Sequence, residues 1–193
     1  DAILTAAVMA YATADRPLVT GDPSYGNPVG TAARIKAAVK AVPVDSALRL
    51  DLDAMISAAQ GAGLVFLCNP NNPTSTVHTL ADIERAVRTI KQRSPETAIL
   101  IDEAYIDYCT APGVNTAAKL ALELPGVFMA RTFSKAYGMA GMRMGYAIGL
   151  PETVSKVGRA WGLGSINELQ AVAGIAALND TAQEVGTSIG TAF

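Results

Sequence analysis

Residues 64–108 read LVFLCNPNNPTSTVHTLADIERAVRTIKQRSPETAILIDEAYIDY. Two short apolar runs, LVFLC (64–68) and AILID (98–102), stand at either end. They are too short for helices and carry the continuous hydrophobicity of strands buried on both faces. Between them Leu80, Ile83, Val87 and Ile90 recur at three- and four-residue spacing with charges opposite, the pattern of an amphipathic helix. A strand, a helix and a second strand within 45 positions make a crossover unit, which joins parallel strands.

The same rhythm extends outward. PLVT (17–20), VKAVPV (39–44), VFMAR (127–131) and GYAIG (145–149) read as further buried strands. Helical patterns fall near 28–38, 51–60, 79–93 and 114–123, and again in PETVSKVGRAW and INELQAVAGIAALND. The expectation is a three-layer α/β/α sandwich around a mostly parallel, mixed sheet. The 193 residues are half hydrophobic and 17% charged, enough for a substantial core. A net charge of −2 without a basic run makes nucleic acid and anionic membranes poor partners. No apolar stretch approaches the roughly 20 residues of a membrane-spanning helix. Two distant cysteines, Cys68 and Cys109, suit a reducing compartment. They and the single histidine, His78, read as structural, and no metal site is expected.

In parallel sheets ligands bind beyond the carboxyl ends of the strands, so the residues found there carry the functional reading. PLVT leads into GDPSYGNP with Tyr25, and LVFLC into NPNNPTST with Asn72. AILID ends on Asp102, with Tyr105 three positions later, and VFMAR leads into TFSK with Thr132, Ser134 and Lys135. Arg143 follows in a Gly- and Met-rich run. Taken singly, these are a turn, a helix cap, a surface aromatic and a solvated lysine. Together they are an amine, a carboxylate, phenols, an amide, hydroxyls and a guanidinium. That inventory suits pyridoxal phosphate, which needs an amine to form a Schiff base, an acid for its pyridine nitrogen, donors for its phenolate and a cradle for its phosphate.

In this order GDPSYGNP, NPNNPT, IDEAYIDY, RTFSKAYGMAGMRMGYAIG and INELQAVAGIAAL resemble the fold-type-I, class I/II pyridoxal-phosphate aminotransferases, in the style of the histidinol-phosphate branch. The resemblance implies that Lys135 attaches the cofactor and shuttles the substrate proton, and that Asp102 pairs with the pyridinium nitrogen. It further implies that Tyr105 and Asn72 hydrogen-bond the phenolate oxygen and that Tyr25 stacks on the ring. Thr132, Ser134 and Arg143 would hold the phosphate, and the bond before Pro73 would be cis. Glycines 138, 141 and 145 would let the backbone turn tightly beside the cofactor.

On this resemblance residues 1–193 form the large cofactor-binding domain. The Gly-rich phosphate turn would lie just before Asp1, and the small C-terminal domain, with the arginine that grips the substrate carboxylate, is absent. The tail TAQEVGTSIGTAF shows no such arginine pattern. The implied activity is transfer of an amino group from an amino acid or amino-alcohol phosphate to a 2-oxo acid such as 2-oxoglutarate. The parent protein is expected to be a cytoplasmic homodimer, with export of a longer precursor left open. Decarboxylation or β-elimination on the same scaffold stays open, as does a regulator domain that binds the cofactor without turnover. A dinucleotide-binding domain is more distant, because no Gly-x-Gly-x-x-Gly follows the first strand. One departure stands out: Ser75 occupies a place where the family usually has Gly, so a positive φ there would strain the turn.

Overall fold

Along β3 (Leu64–Cys68) every side chain is buried, yet alternate residues enter different cores. Val65 and Leu67 join one cluster with Ile99, Ile101, Val127 and Met129, covered by α3 (Leu52–Ala58), α4 (Leu80–Arg93) and α5 (Ala118–Glu123). Leu64, Phe66 and Cys68 join the other with Leu100 and Phe128, beneath α1 (Ala2–Tyr11) and α6 (Pro151–Trp161). Period-two alternation thus supplies both faces of one sheet with apolar surface, and helices cover each. Each fully buried side chain such as Phe66 or Leu67 contributes about 1.5–3 kcal/mol. This computed structural model describes residues 1–164 and 166–180.

The remaining strands are β1 (Leu18–Asp22), β2 (Val39–Pro43), β4 (Ala98–Asp102), β5 (Val127–Thr132) and β6 (Gly145–Gly149). Their order is β2-β1-β3-β4-β5-β6, all pairs parallel except β5 with β6. The three-layer, mostly parallel sandwich expected from the sequence is present. The chain runs outward from β1 to β2, then crosses back to place β3 on the other side of β1. That reversal opens a crevice at the carboxyl ends of β1 and β3.

The helices form where caps and periodicity agree. Thr79 starts α4 by accepting from Asp82 N, while the Asp82 carboxylate accepts from Thr79 N at 3.2 Å, a capping box. Ile83, Ala86, Val87 and Ile90 are the buried stripe of α4, with Leu80 packed at its edge. Among the described residues no helix is long and apolar enough to cross a membrane.

Four expectations need correction. GYAIG is not a buried strand: β6 is the antiparallel edge of the sheet, and none of its residues is buried. VKAVPV is not a buried strand: β2 is the sheet edge and only Val42 among its residues is buried. Pro43 fits there because an edge strand has one side with no ladder to satisfy. The helix near 28–38 is α2 (Asn27–Arg34), which stops because Lys36 adopts φ +58°. Lys36 N then donates to Ala33 O and Ala37 N to Ala32 O, closing the helix end. The helix near 114–123 begins only at Ala118, because Thr116 and Ala117 are held by the Glu103 carboxylate. The tail 181–193, read as lacking a carboxylate-binding arginine, lies outside the described residues.

Candidate functional site

Asp102 ends β4 in register with Cys68 of β3 and Ala130 of β5, at the middle of the sheet's carboxyl edge. Its carboxylate is 6% exposed and accepts one hydrogen bond, from Ala104 N at 3.2 Å. Among the described residues no cationic side chain forms an ion pair with it. Burial pushes its pKa up to about 6, against the partial relief of the Ala104 N–H and of the Asp1 N-terminal ammonium, and the neighbouring Glu103 adds to the rise. An acid kept dry without a partner is costly unless something cationic arrives.

Lys135 lies three residues beyond β5, in the loop that β6 closes by antiparallel pairing of Thr132 with Gly145. Its Nζ stands 4.9 Å from the centroid of the Tyr105 ring. Tyr105 follows β4 and its ring tilts against Tyr108, 6.4 Å between centroids. The Tyr108 hydroxyl is buried with no hydrogen-bond partner. Tyr25 donates to Asp1 Oδ1 at 2.7 Å. Its phenol is pushed up by partial burial first, then by Asp102 and Tyr105, while Arg143 acts in the opposite sense. Tyr25, Asp102, Tyr105 and Arg143 therefore share one electrostatic neighbourhood, although they come from separate strand ends and the loop before β6.

The phosphate-side residues are less convergent. Ser134 N donates to Thr132 Oγ1 at 3.1 Å, and Thr132 Oγ1 donates onward to Met144 O at 3.4 Å. Arg143 is exposed, at φ +53°, and donates from Nη1 to Ala140 O of its own turn at 2.8 Å. Among the described residues no hydrogen bond joins Arg143 to Thr132 or Ser134. Of the three glycines in this loop, Gly138 takes φ +65°, and a Cβ on Gly145 would stand 2.6 Å from Arg131 O. Gly141 has no positive φ, and a Cβ there would meet nothing within 4 Å, so the expected tight turn does not require it.

In the loop after β3 the bond before Pro73 is cis, as are those before Pro70 and Pro23. Asn72 is half-buried and its side chain makes no hydrogen bond among the described residues. Asn71 organises the loop instead. It accepts from Ser24 Oγ at 2.8 Å and donates to Pro23 O and Thr74 Oγ1 at 3.1 and 2.8 Å, tying the Tyr25 turn to the Asn72 turn. Asn69 and His78 clasp the base of the loop, His78 N to Asn69 Oδ1 at 2.9 Å and Asn69 Nδ2 to His78 O at 3.0 Å. Sequence reasoning missed Asn71, Glu103 and Arg131. Asn71 stood in a run of three possible asparagines, and the pairing of Glu103 with Arg131 depends on strand order.

Ser75 does adopt φ +57°, with its N–H donating to Asn71 O at 2.8 Å. A left-handed conformation costs a non-glycine residue about 1–2 kcal/mol, whereas glycine loses roughly 0.5–1 kcal/mol in chain entropy. Strain relief outweighs entropy. Ser75→Gly is therefore expected to stabilise the protein by about 0.5–1 kcal/mol, read from urea unfolding midpoints. An unchanged or lower midpoint would show that the Ser75 turn is not strained.

A dry acid, an amine against a phenol ring, and hydroxyls gathered at the carboxyl edge of a parallel sheet define a site for a polar, charged small ligand. The chain belongs to the aminotransferase class I and II family, whose model matches residues 1–189. It is 42% identical over 164 residues to the histidinol-phosphate aminotransferase of Symbiobacterium thermophilum, covering 84% of this chain and 44% of that protein. It is 40% identical over 149 residues to the aromatic amino acid aminotransferase of Mycobacterium sp. (strain KMS), covering 75% of this chain and 40% of that one. The fold matches the crystal structure of histidinol-phosphate aminotransferase from Sinorhizobium meliloti in complex with pyridoxal-5′-phosphate, with a TM-score of 0.80 and 29% identity. That match covers 93% of this chain and 48% of the other. The chain thus spans less than half the length of these relatives.

Proposed function

We propose that the protein carrying this domain is a pyridoxal-phosphate-dependent aminotransferase. It moves an amino group from an amino acid or amino-alcohol phosphate to a 2-oxo acid such as 2-oxoglutarate. The observation that carries this reading is Asp102, a buried carboxylate that forms no ion pair with a cationic side chain among the described residues, beside the strand that leads to Lys135. The residues fit the cofactor's demands: Asp102 is buried without a side-chain ion pair, Lys135 Nζ stands over the Tyr105 ring and near Tyr108, and among the described residues the buried Tyr108 hydroxyl has no hydrogen-bond partner. The cofactor, when bound, supplies an electron sink that stabilises negative charge at the substrate's α-carbon.

The chain's own residues supply the rest. Asp102 keeps a proton on the ring nitrogen, and burial makes that interaction strong. Lys135 provides the amine that anchors the cofactor and then carries a proton to and from the substrate carbon as a general base and acid. Tyr105 and Asn72 would supply hydrogen-bond donors to the cofactor's phenolate oxygen, and Tyr25 an aromatic surface beside it. Thr132, Ser134 and Arg143 receive the phosphate, which asks Arg143 to exchange its bond to Ala140 O for a better anionic acceptor. The names of the curated relatives, histidinol-phosphate and aromatic amino acid aminotransferases, support a donor of one of these kinds.

Residues 1–193 are read as the cofactor-binding domain of a homodimer acting in the cytoplasm. Four apolar side chains of α7 (Glu168–Asn179), Leu169, Val172, Ile175 and Leu178, are more than half exposed and supply surface for association. The test is a half-reaction. The full-length protein loaded with pyridoxal phosphate is mixed with single amino donors, and conversion to the pyridoxamine form is followed by absorbance. Conversion with histidinol phosphate or an aromatic amino acid is expected. Release of carbon dioxide or pyruvate in its place would point to the decarboxylase or lyase alternatives, and promoter binding without turnover to a regulator.

A further inference from the structure

Glu103 follows Asp102 directly, and its side chain is 1% exposed. Its Oε2 accepts from Arg131 Nε at 3.0 Å and from Thr116 Oγ1 at 2.9 Å, with Arg131 Nη2 in ion-pair contact at 3.0 Å. Its Oε1 accepts from Ala117 N at 2.6 Å, at the start of α5. The third nitrogen of the Arg131 guanidinium, Nη1, reaches Asp107 Oδ1 at 3.3 Å. One guanidinium therefore ties the end of β4 to the end of β5 and to the turn after Tyr105.

We infer that Arg131 and Glu103 are a positioning pair that sets Lys135 relative to Asp102 and Tyr105. Arg131 precedes Lys135 by four residues on the strand leading into its loop, Glu103 succeeds Asp102, and Asp107 is two residues past Tyr105. The sheet alone leaves these residues at strand ends, where ladder hydrogen bonding stops and orientation is least constrained. Glu103 N donates to Ala130 O at 2.9 Å, so the backbone link ends where the side-chain link begins. Both charged groups are satisfied by geometry that requires a planar fork, which a lysine ammonium cannot reproduce. A site that moves protons between fixed partners is sensitive to sub-ångström misplacement, so a rigid brace behind it acts on rate rather than on binding.

This inference rests on the pyridoxal-phosphate reading, and the test separates the two. In the full-length protein Arg131→Lys retains the charge and loses the fork, and Glu103→Gln retains the shape and loses the charge. Both variants are expected to keep the wild-type circular dichroism and to attach pyridoxal phosphate to Lys135, seen by borohydride trapping and mass spectrometry. The pH midpoint of the bound cofactor's visible band is expected to move in both. For Arg131→Lys, kcat should fall about tenfold with KM within about twofold. Arg131→Met should fall further. If Arg131→Lys and Glu103→Gln keep the wild-type midpoint and kcat while only melting earlier, the pair is merely structural and the inference fails. If wild-type protein attaches no cofactor at Lys135, the cofactor reading fails first and takes this inference with it.

Discussion

Lys135→Ala is expected to remove the visible band of the bound cofactor and to lower the amino-transfer half-reaction by at least about 10²–10⁴-fold. The side chain occupies two proposed roles, anchor and proton carrier, and alanine supplies neither an amine nor a proton. Stability should change little. Lys135 is only partly buried, and its ammonium stands over the face of Tyr105, 4.9 Å from the ring centroid. A contact of that kind at a half-exposed site is worth about 0.5–1 kcal/mol. Spectrophotometric titration with pyridoxal phosphate, together with stopped-flow mixing with the amino donor, reads both effects. A variant that retains the band and the wild-type half-reaction would remove Lys135 from the site. A large drop in melting temperature would instead assign it to the fold.

Asp102→Asn is expected to reverse the usual relation between activity and stability. In its proposed role the carboxylate would hold a proton on the cofactor's ring nitrogen, and breaking a buried charge pair costs about 3–5 kcal/mol, so kcat should fall by roughly 10²–10³-fold. Without cofactor the same carboxylate is a burden. Its folded pKa is raised to about 6, against 3.8 for a free carboxyl, so between these values the folded state holds the proton more tightly than the unfolded one. The raised group makes the fold lose stability as pH climbs through that window, and the loss is complete above about pH 6. It amounts to on the order of 3 kcal/mol, or several degrees in melting temperature for a chain of this size. Asparagine carries no such titration and keeps an oxygen for the Ala104 N–H. Cofactor-free wild type should therefore melt lower at pH 8 than at pH 5 relative to Asp102→Asn. Parallel melting curves for the two proteins across this range would refute the idea of an unpaired, dry carboxylate.

The strands were legible because burial on both faces leaves uninterrupted runs such as LVFLC and AILID, which no surface element needs. VKAVPV was misplaced because a run's hydrophobicity does not reveal whether its strand lies at the sheet's edge; that depends on strand order. Helix ends were less legible than helix middles. The stop at Lys36 and the late start of α5 rest on a positive φ and on a carboxylate from another strand. Lys135, Tyr105 and Tyr25 could be singled out because each follows a strand, and Asp102 because it ends one, at the carboxyl edge of a mostly parallel sheet. Glu103 and Arg131 lie beside them, but their partnership spans 28 residues and appears only once β4 and β5 are neighbours. Ser75 sits between: its type raised the question of a positive φ, and the backbone answers it.

The hairpin formed by β5 and β6 divides the site by the way the chain must fold. Thr132 pairs with Gly145 across the loop, so Thr132, Ser134, Lys135 and Arg143 belong to one short segment closed locally. Tyr25, Asn72 and Asp102 meet only after parallel crossovers have aligned β1, β3 and β4. Local closure forms quickly and at low entropic cost, whereas long-range parallel pairing is slow. The loop that carries Lys135 is thus closed locally by its hairpin, while Tyr25 and Asp102 depend on long-range pairing, and the Arg131–Glu103 ion pair is the point at which the two are joined.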